Sequence, residues 1–96
     1  MTTNRKSFFT LKVVWNNMKL NIISLGGIKF DGEVTSVNLK TTSGEITVLD
    51  NHRPLITQLA KGQVVIIKKD GEKTNFDIES GFLEVGFDNK ATVLVG

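Results

Sequence analysis

Cysteine and tyrosine are absent from these 96 residues, and histidine, proline and tryptophan each occur once. Without cysteine there is no disulfide framework and no thiolate chemistry, a composition compatible with a reducing compartment. The single histidine, His52, excludes zinc sites built on several imidazoles. Asp50 and His52 alternate beside Arg53, but Asn51 and Pro54 mark that segment as a turn, where polar residues serve structure first. No nucleophile, base and carboxylate form a convergent set, so catalysis is not expected and no cofactor or metal is called for. Charge of one sign is also scarce: 12 Lys and Arg stand against 10 Asp and Glu, and an excess of +2 supplies no basic face for nucleic acid. No apolar run approaches the roughly 20 residues of a membrane-spanning helix, the longest being residues 64–67. Arg5 and Lys6 ahead of Phe8 and Phe9 imitate a signal peptide, yet Lys12 interrupts the apolar stretch and no small-residue cleavage site follows.

What the chain does have is β pattern. Hydrophobic residues at 40% and charged residues at 23% suit one soluble globular core, and the length allows one domain. Short β-branched runs alternate with Gly, Asp and Asn, predicting strands at 19–24, 28–40, 45–49, 55–59, 63–69, 73–78, 82–85 and 91–95. The fold class read from this is all-β, a sandwich of two antiparallel sheets built from eight to ten short strands. Lys69-Asp70-Gly71-Glu72 predicts a hairpin with a type I′ turn, and Asp88-Asn89 predicts a second hairpin. Asp31-Gly32 is read instead as a bulge or twist inside one long strand, because a turn there would leave residues 28–30 as an entire strand. Gly26-Gly27 and Lys61-Gly62 mark tight turns.

Residues 1–17 stand apart from residues 18–96 as an amino-terminal extension. Phe9, Leu11, Val13 and Trp15 alternate with other residues at the period of a half-buried strand. An added edge strand or partner-binding strand, a flexible extension, and an upstream start codon ahead of Met18 remain open for it. No helix follows Gly26-Gly27 or Gly44 to offer its amino terminus to a phosphate, so these glycines do not read as a nucleotide loop. The aromatics within strand segments read as core filling, and Lys68-Lys69 at a hairpin end reads as edge protection. The residues alone therefore describe a small β-sandwich that acts by binding.

Phe30-Asp31-Gly32-Glu33-Val34, Gly44-Glu45, His52 with Pro54-Leu55, Gly62, Ser80-Gly81-Phe82-Leu83-Glu84-Val85 and Thr92-Val93-Leu94 occur in this order. In order and spacing the stretch 20–94 resembles the amino-terminal domain of the F-type ATP synthase epsilon subunit, called delta in mitochondria. Three departures stand out: Thr47 replaces a usual glycine, Asp50-Asn51 replaces Pro-Gly, and Arg53 replaces alanine. Asn51 can supply the left-handed conformation of the missing glycine, whereas Arg53 changes the partner surface.

The resemblance implies a non-catalytic rotor part that joins the gamma subunit to the ring of c subunits, one copy per complex, with no nucleic acid. Membrane association would come only through the complex, on the cytoplasmic face of a bacterial plasma membrane or the matrix or stromal face of an organelle. By position, Ser43, Gly44 and Glu45 fall on the loop facing the c ring, with His52 and Arg53 in a nearby turn. Ser24 and Thr57 fall at positions that resemble gamma-facing ones. The chain as given stops at Gly96, where the family continues into a helical hairpin, so coupling without helical autoinhibition is the expectation. The alternative is a free-standing sandwich that binds a peptide by strand addition or a sugar on one face.

Overall fold

The computed structural model describes residues 18–96, and the expected extra strand or flexible extension at 1–17 lies outside them. The described residues form eight strands and no helix: β1 (Met18–Ser24), β2 (Gly27–Thr41), β3 (Gly44–Leu49), β4 (Leu55–Leu59), β5 (Gly62–Lys68), β6 (Lys73–Ile78), β7 (Gly81–Val85) and β8 (Lys90–Val95). Each coincides with a run anticipated from the sequence, with ends displaced by a residue or so.

The strands form two layers joined by β2. Its first half pairs with β1, and from there the ladder runs through β8 and β7 to β4. Its second half lies between β3 and β5, and β6 completes that sheet. One buried cluster fills the space between, with Leu20, Ile22, Leu59, Leu83 and Val93 from the first layer and Val37, Leu39, Val48, Val64 and Ile66 from the second. This is the expected sandwich with one pair reversed: β1 and β8 run parallel. A hairpin forces antiparallel pairing, whereas β1 and β8 are connected by all the other strands, so packing alone sets their direction.

Two bulges let β2 serve both layers. Ile22 pairs with Phe30 but Ile23 with Ile28, leaving Lys29 as the extra residue. Val34 pairs with Lys68 but Ser36 with Ile67, leaving Thr35, whose hydroxyl donates to the Ile67 carbonyl at 3.3 Å. An extra residue shifts the two-residue alternation by one. Buried positions accordingly pass from Val34 to Val37 and Leu39. The bulges flank Asp31-Gly32 rather than fall on it. Those residues pair in register with Asn21 and Leu20, and the Phe30 ring covers Gly32, 3.5 Å from where a Cβ would stand.

The turn at 69–71 is not type I′. Gly71 alone has positive φ, at 92°, while Asp70 does not. The Lys68 N–H donates to the Glu72 carbonyl and the Gly71 N–H to the Lys68 carbonyl, both at 2.8 Å, closing a three-residue loop that ends in a left-handed glycine. Asp70 explains the choice, because its carboxylate accepts from the Glu72 N–H at 2.9 Å and so favours this wider loop. The β7–β8 hairpin uses the same plan, with Gly86 N–H bonded to the Lys90 carbonyl at 2.9 Å and Asn89 left-handed at φ 61°.

Asn89 also joins the layers. Its Oδ1 accepts from the Asn51 N–H at 2.8 Å, its Nδ2 donates to Asp50, and its carbonyl accepts from the Lys19 N–H at 3.2 Å. Residues 50–54, 69–71 and 87–89 thereby share the end of the sandwich where β1 begins, the Met18 end. The turns at 24–27 and 41–44 share the other, Gly96 end. A chain of pairings from Thr41 through Leu59 and Gly81 to Val95 connects them.

Two predictions follow from these contacts. A Cβ on Gly81 would stand 2.2 Å from the Leu94 carbonyl oxygen and 3.3 Å from the Val95 Cα, all of it backbone of β8. Gly81→Ala should therefore lose about 2–3 kcal/mol in denaturant unfolding, more than Gly71→Ala, which meets no atom and carries only a left-handed penalty of about 1 kcal/mol. Equal losses in the two variants would show that close approach at Gly81 is not limiting. Asn89→Ala should cost roughly 3 kcal/mol, about 1 for each side-chain bond and about 1 for a left-handed alanine. Asn89→Gly keeps the backbone conformation and should recover only part of that loss.

Candidate partner interface

Ser43, Gly44 and Glu45 lie on the β2–β3 hairpin at the Gly96 end. Thr41, the one buried polar residue described, staples that turn from below. Its hydroxyl accepts from the Ser43 N–H at 3.0 Å and donates to the Gly44 carbonyl at 2.6 Å. The Thr42 N–H reaches the Gln58 carbonyl at 3.1 Å, tying the hairpin to β4. Ser43 and Glu45 are exposed on this fixed base, and Glu45 makes no ion pair among the described residues.

Ser24 repeats the device in the β1–β2 turn. Its hydroxyl accepts from Gly26 N–H at 3.2 Å and donates to the Gly27 carbonyl at 3.3 Å. Ser24 is half-buried, with its hydroxyl engaged locally.

His52 and Arg53 occupy the opposite, Met18 end. The His52 N–H donates to the Leu49 carbonyl at 3.1 Å, and its Nδ1 sits 2.7 Å from the Arg53 carbonyl. A ring nitrogen facing a carbonyl must carry the proton, which leaves Nε2 as an acceptor in neutral imidazole. Asn51 adopts φ 63°, the left-handed geometry anticipated for it, and Arg53 is exposed without an ion pair among the described residues. Thr57 is half-buried on the side of β4 that carries Leu55 and Leu59, with Ile56 and Gln58 on the other. The residues singled out from sequence thus divide. Ser24 and 43–45 share one end, and His52 and Arg53 lie at the other, about 20 Å away along β3.

Sequence reading missed the outer face of the first sheet. Cross-strand registers align Gln58, Phe82, Leu94, Ile23 and Ile28 in one row across β4, β7, β8, β1 and β2. Four of the five are apolar, and Phe82 (54%), Leu94 (51%) and Ile28 (69%) are exposed, as is Ile56 (73%) on the neighbouring row. Phe82 is therefore not core filling, a correction to the reading of strand aromatics; Phe30 and Phe76 do pack against the core, edge to face at 6.4 Å. Consecutive apolar residues were the available signal, since Ile22-Ile23, Phe82-Leu83 and Val93-Leu94 must each send one side chain outward. Ile28 was hidden from such a reading by the bulge at Lys29.

The outer face of the second sheet is different. Thr47, Asn38, Val65 and Asn75 form its central row, and Asn38 Nδ2 donates to Thr47 Oγ1 at 2.9 Å. Chemically the molecule offers one face crossed by an apolar row, with Ile56 beside it on a row otherwise made of Glu84, Thr92, Asn21 and Asp31, one largely polar face, and two ends of fixed turns that expose Leu25 and Phe87. No cluster of three or more His, Cys, Asp or Glu able to hold a metal occurs among the described residues.

Comparison with known proteins agrees with this architecture. Residues 17–96 match the family described as ATP synthase, Delta/Epsilon chain, beta-sandwich domain. The ATP synthase epsilon chain of Sulfurovum sp. is 38% identical over 78 residues, covering 81% of this chain and 60% of that protein. ATP synthase subunit delta, mitochondrial, of Yarrowia lipolytica is 43% identical over 61 residues, covering 64% of this chain and 38% of its own length. This chain thus spans from about two fifths to three fifths of these curated relatives. A chain in the cryo-EM structure of Euglena gracilis mitochondrial ATP synthase, OSCP/F1/c-ring, superposes with a TM-score of 0.79 at 22% identity, over 83% of this chain and 51% of that one. A chain in the Tetrahymena thermophila mitochondrial ATP synthase central stalk/c-ring gives 0.70 at 18% identity, over 81% and 62%. With the family match extending over all the described residues, this chain belongs to the ATP synthase delta/epsilon family and carries its β-sandwich domain.

Proposed function

We propose that this chain is a non-catalytic central-stalk subunit of a proton-translocating F-type ATP synthase, linking the gamma subunit to the c ring and coupling rotation to ATP synthesis. The observation that carries it is the contrast between the two outer faces. A row of exposed Ile, Leu and Phe side chains crosses the first sheet, while the second sheet is largely polar. Covering each of Ile28, Ile56, Phe82 and Leu94 contributes on the order of 1 kcal/mol or more, a driving force for a lasting subunit contact. In this reading the apolar face takes gamma, with Ser24 at its border, while Thr57 lies on the opposite side of β4 and is not part of that face.

Ser43, Gly44 and Glu45 take the polar loops of the c ring. Their hairpin is stiff and projects from one end, and Glu45 has an uncommitted charge. His52 and Arg53, at the other end, belong to a contact separate from that of Glu45. One copy would serve each complex, placed peripherally on the side of the membrane that carries the catalytic head. A sugar-binding face is less well supported, because Phe82 is the one aromatic in its row, with Leu94, Ile23 and Ile28 beyond it.

The two contacts separate by mutation. Leu94→Glu should weaken binding to purified gamma by about tenfold or more, with a melting temperature near that of the wild type. Glu45→Lys should reduce association with reconstituted c ring while shifting stability by no more than about 0.5 kcal/mol. If gamma binds Leu94→Glu as it binds the wild type, the apolar face is not the gamma site. Unchanged assembly and coupling with Glu45→Lys would remove that residue from the c-ring contact.

A further inference from the structure

We infer that Phe87, with Ile56 and Pro54, forms an anchor at the Met18 end that extends the gamma contact beyond the sheet face, with Arg53 beside it as the cation that selects an acidic partner segment. This rests on the proposal that the apolar face of the first sheet binds gamma.

Phe87 is 94% exposed, the most exposed aromatic side chain described. It is nevertheless on a constrained backbone. The hairpin closes through Gly86 N–H to Lys90 carbonyl at 2.9 Å, and the adjacent Asn89 is bonded to Lys19, Asp50 and Asn51. An aromatic ring held out by a backbone fixed from three segments loses little freedom on docking, the circumstance in which such residues dominate binding energy. A groove of about 410 Å³ opens between Phe87 and residues 54–56, floored by Val85 and Gly86, with the exposed Glu84 also in its wall, so that a partner carboxylate is accepted only on the Arg53 side. It is large enough to take one apolar side chain from a partner.

Continuity identifies the occupant. Ile56, 73% exposed, lines this groove and also stands on the outer face of the first sheet, beside the row that contains Phe82 and Leu94. A partner lying on that face reaches the groove without leaving the surface. Charge narrows the choice further. Arg53 immediately precedes Pro54 at the groove, is exposed, and has no carboxylate within 4.0 Å among the described residues. A gamma segment that inserts an apolar side chain between Phe87 and Pro54 and presents a carboxylate to Arg53 satisfies both features.

The test is equilibrium and stopped-flow binding of the full 96-residue chain to purified gamma, with wild type, Phe87→Ala, Arg53→Glu and Leu94→Glu compared. Phe87→Ala should raise Kd by about tenfold or more, mainly through faster dissociation, as expected for loss of a buried anchor. Its circular dichroism spectrum and melting temperature should stay those of the wild type, because the ring makes no core contact. Arg53→Glu should slow association and reduce its dependence on salt. If Leu94→Glu loses affinity while Phe87→Ala and Arg53→Glu retain it, the anchor is refuted and the sheet-face contact stands. If all three bind as the wild type does, the sheet-face contact fails and the anchor falls with it.

Discussion

Most of the architecture depends on β2 serving two sheets at once. A strand of 15 residues paired along its whole length would lie in one sheet and leave its second apolar face in water. The extra residues at Lys29 and Thr35 prevent this by shifting the side-chain alternation. Val34 can then face the core beside Met18, while Val37 and Leu39 face the same core from the other layer. Every other strand takes its place from one half of β2: β1 pairs with the first half, and β3 and β5 pair with the second. The Thr41–Leu59 pairing brings the far end of β2 back to β4, so the first layer closes on itself through β1, β8 and β7.

Closure makes the two ends of the sandwich chemically specific. At the Gly96 end, two turns use a hydroxyl in the same way: Ser24 and Thr41 each receive an N–H two residues on and donate to a glycine carbonyl three residues on. The hydroxyl satisfies backbone groups that a tight turn leaves unpaired, and glycine accepts the resulting positive φ. At the Met18 end the equivalent task falls to Asn89, whose amide bridges two loops. One end is thus built from separately stiffened hairpins and the other from loops bonded to each other. The proposed c-ring contact uses the former. The proposed anchor uses the latter.

The fold was legible in the sequence to the extent that information is local. Strand spacing located all eight strands, because β-branched runs bounded by Gly, Asp and Asn need no knowledge of partners. Asn51 was legible too, since left-handed geometry is a property of one residue. The turn at 69–71 was not, because its type follows from the strand register and the Asp70 carboxylate, and an Asp-Gly pair suits either loop. The parallel β1–β8 pair and the apolar outer row required knowledge of which strands become neighbours. Phe82 and Leu83 are equally apolar; only the ladder decides that Leu83 enters the core and Phe82 faces out. For the candidate site, residues 43–45 could be placed on a turn from the sequence, but the separation of His52 from them could not, because β3 sets that distance.

The proposed role makes a physical demand that this architecture is suited to meet. A part that passes torque between two partners must resist shear between its two contacts, and its own deformation must cost more than the load. A domain of continuous ladders with one core has no hinge between its apolar face and its hairpin end. The residues of the row on the outer face, from Phe82 to Ile28, stand on the same strands whose opposite side chains, Leu83, Val93 and Ile22, are fully buried. Force applied to that face therefore enters the core directly, and passes through the Thr41–Leu59 pairing and the Thr42–Gln58 bond to the hairpin carrying Glu45. Close packing makes such a path stiff, because displacement of any member opens voids or forces overlaps among its neighbours. Gly81 lies on that path between Leu59 and Val95, where the strands approach too closely for any side chain. A glycine required by close approach rather than by backbone conformation is what a tightly coupled joint between the face and the end entails.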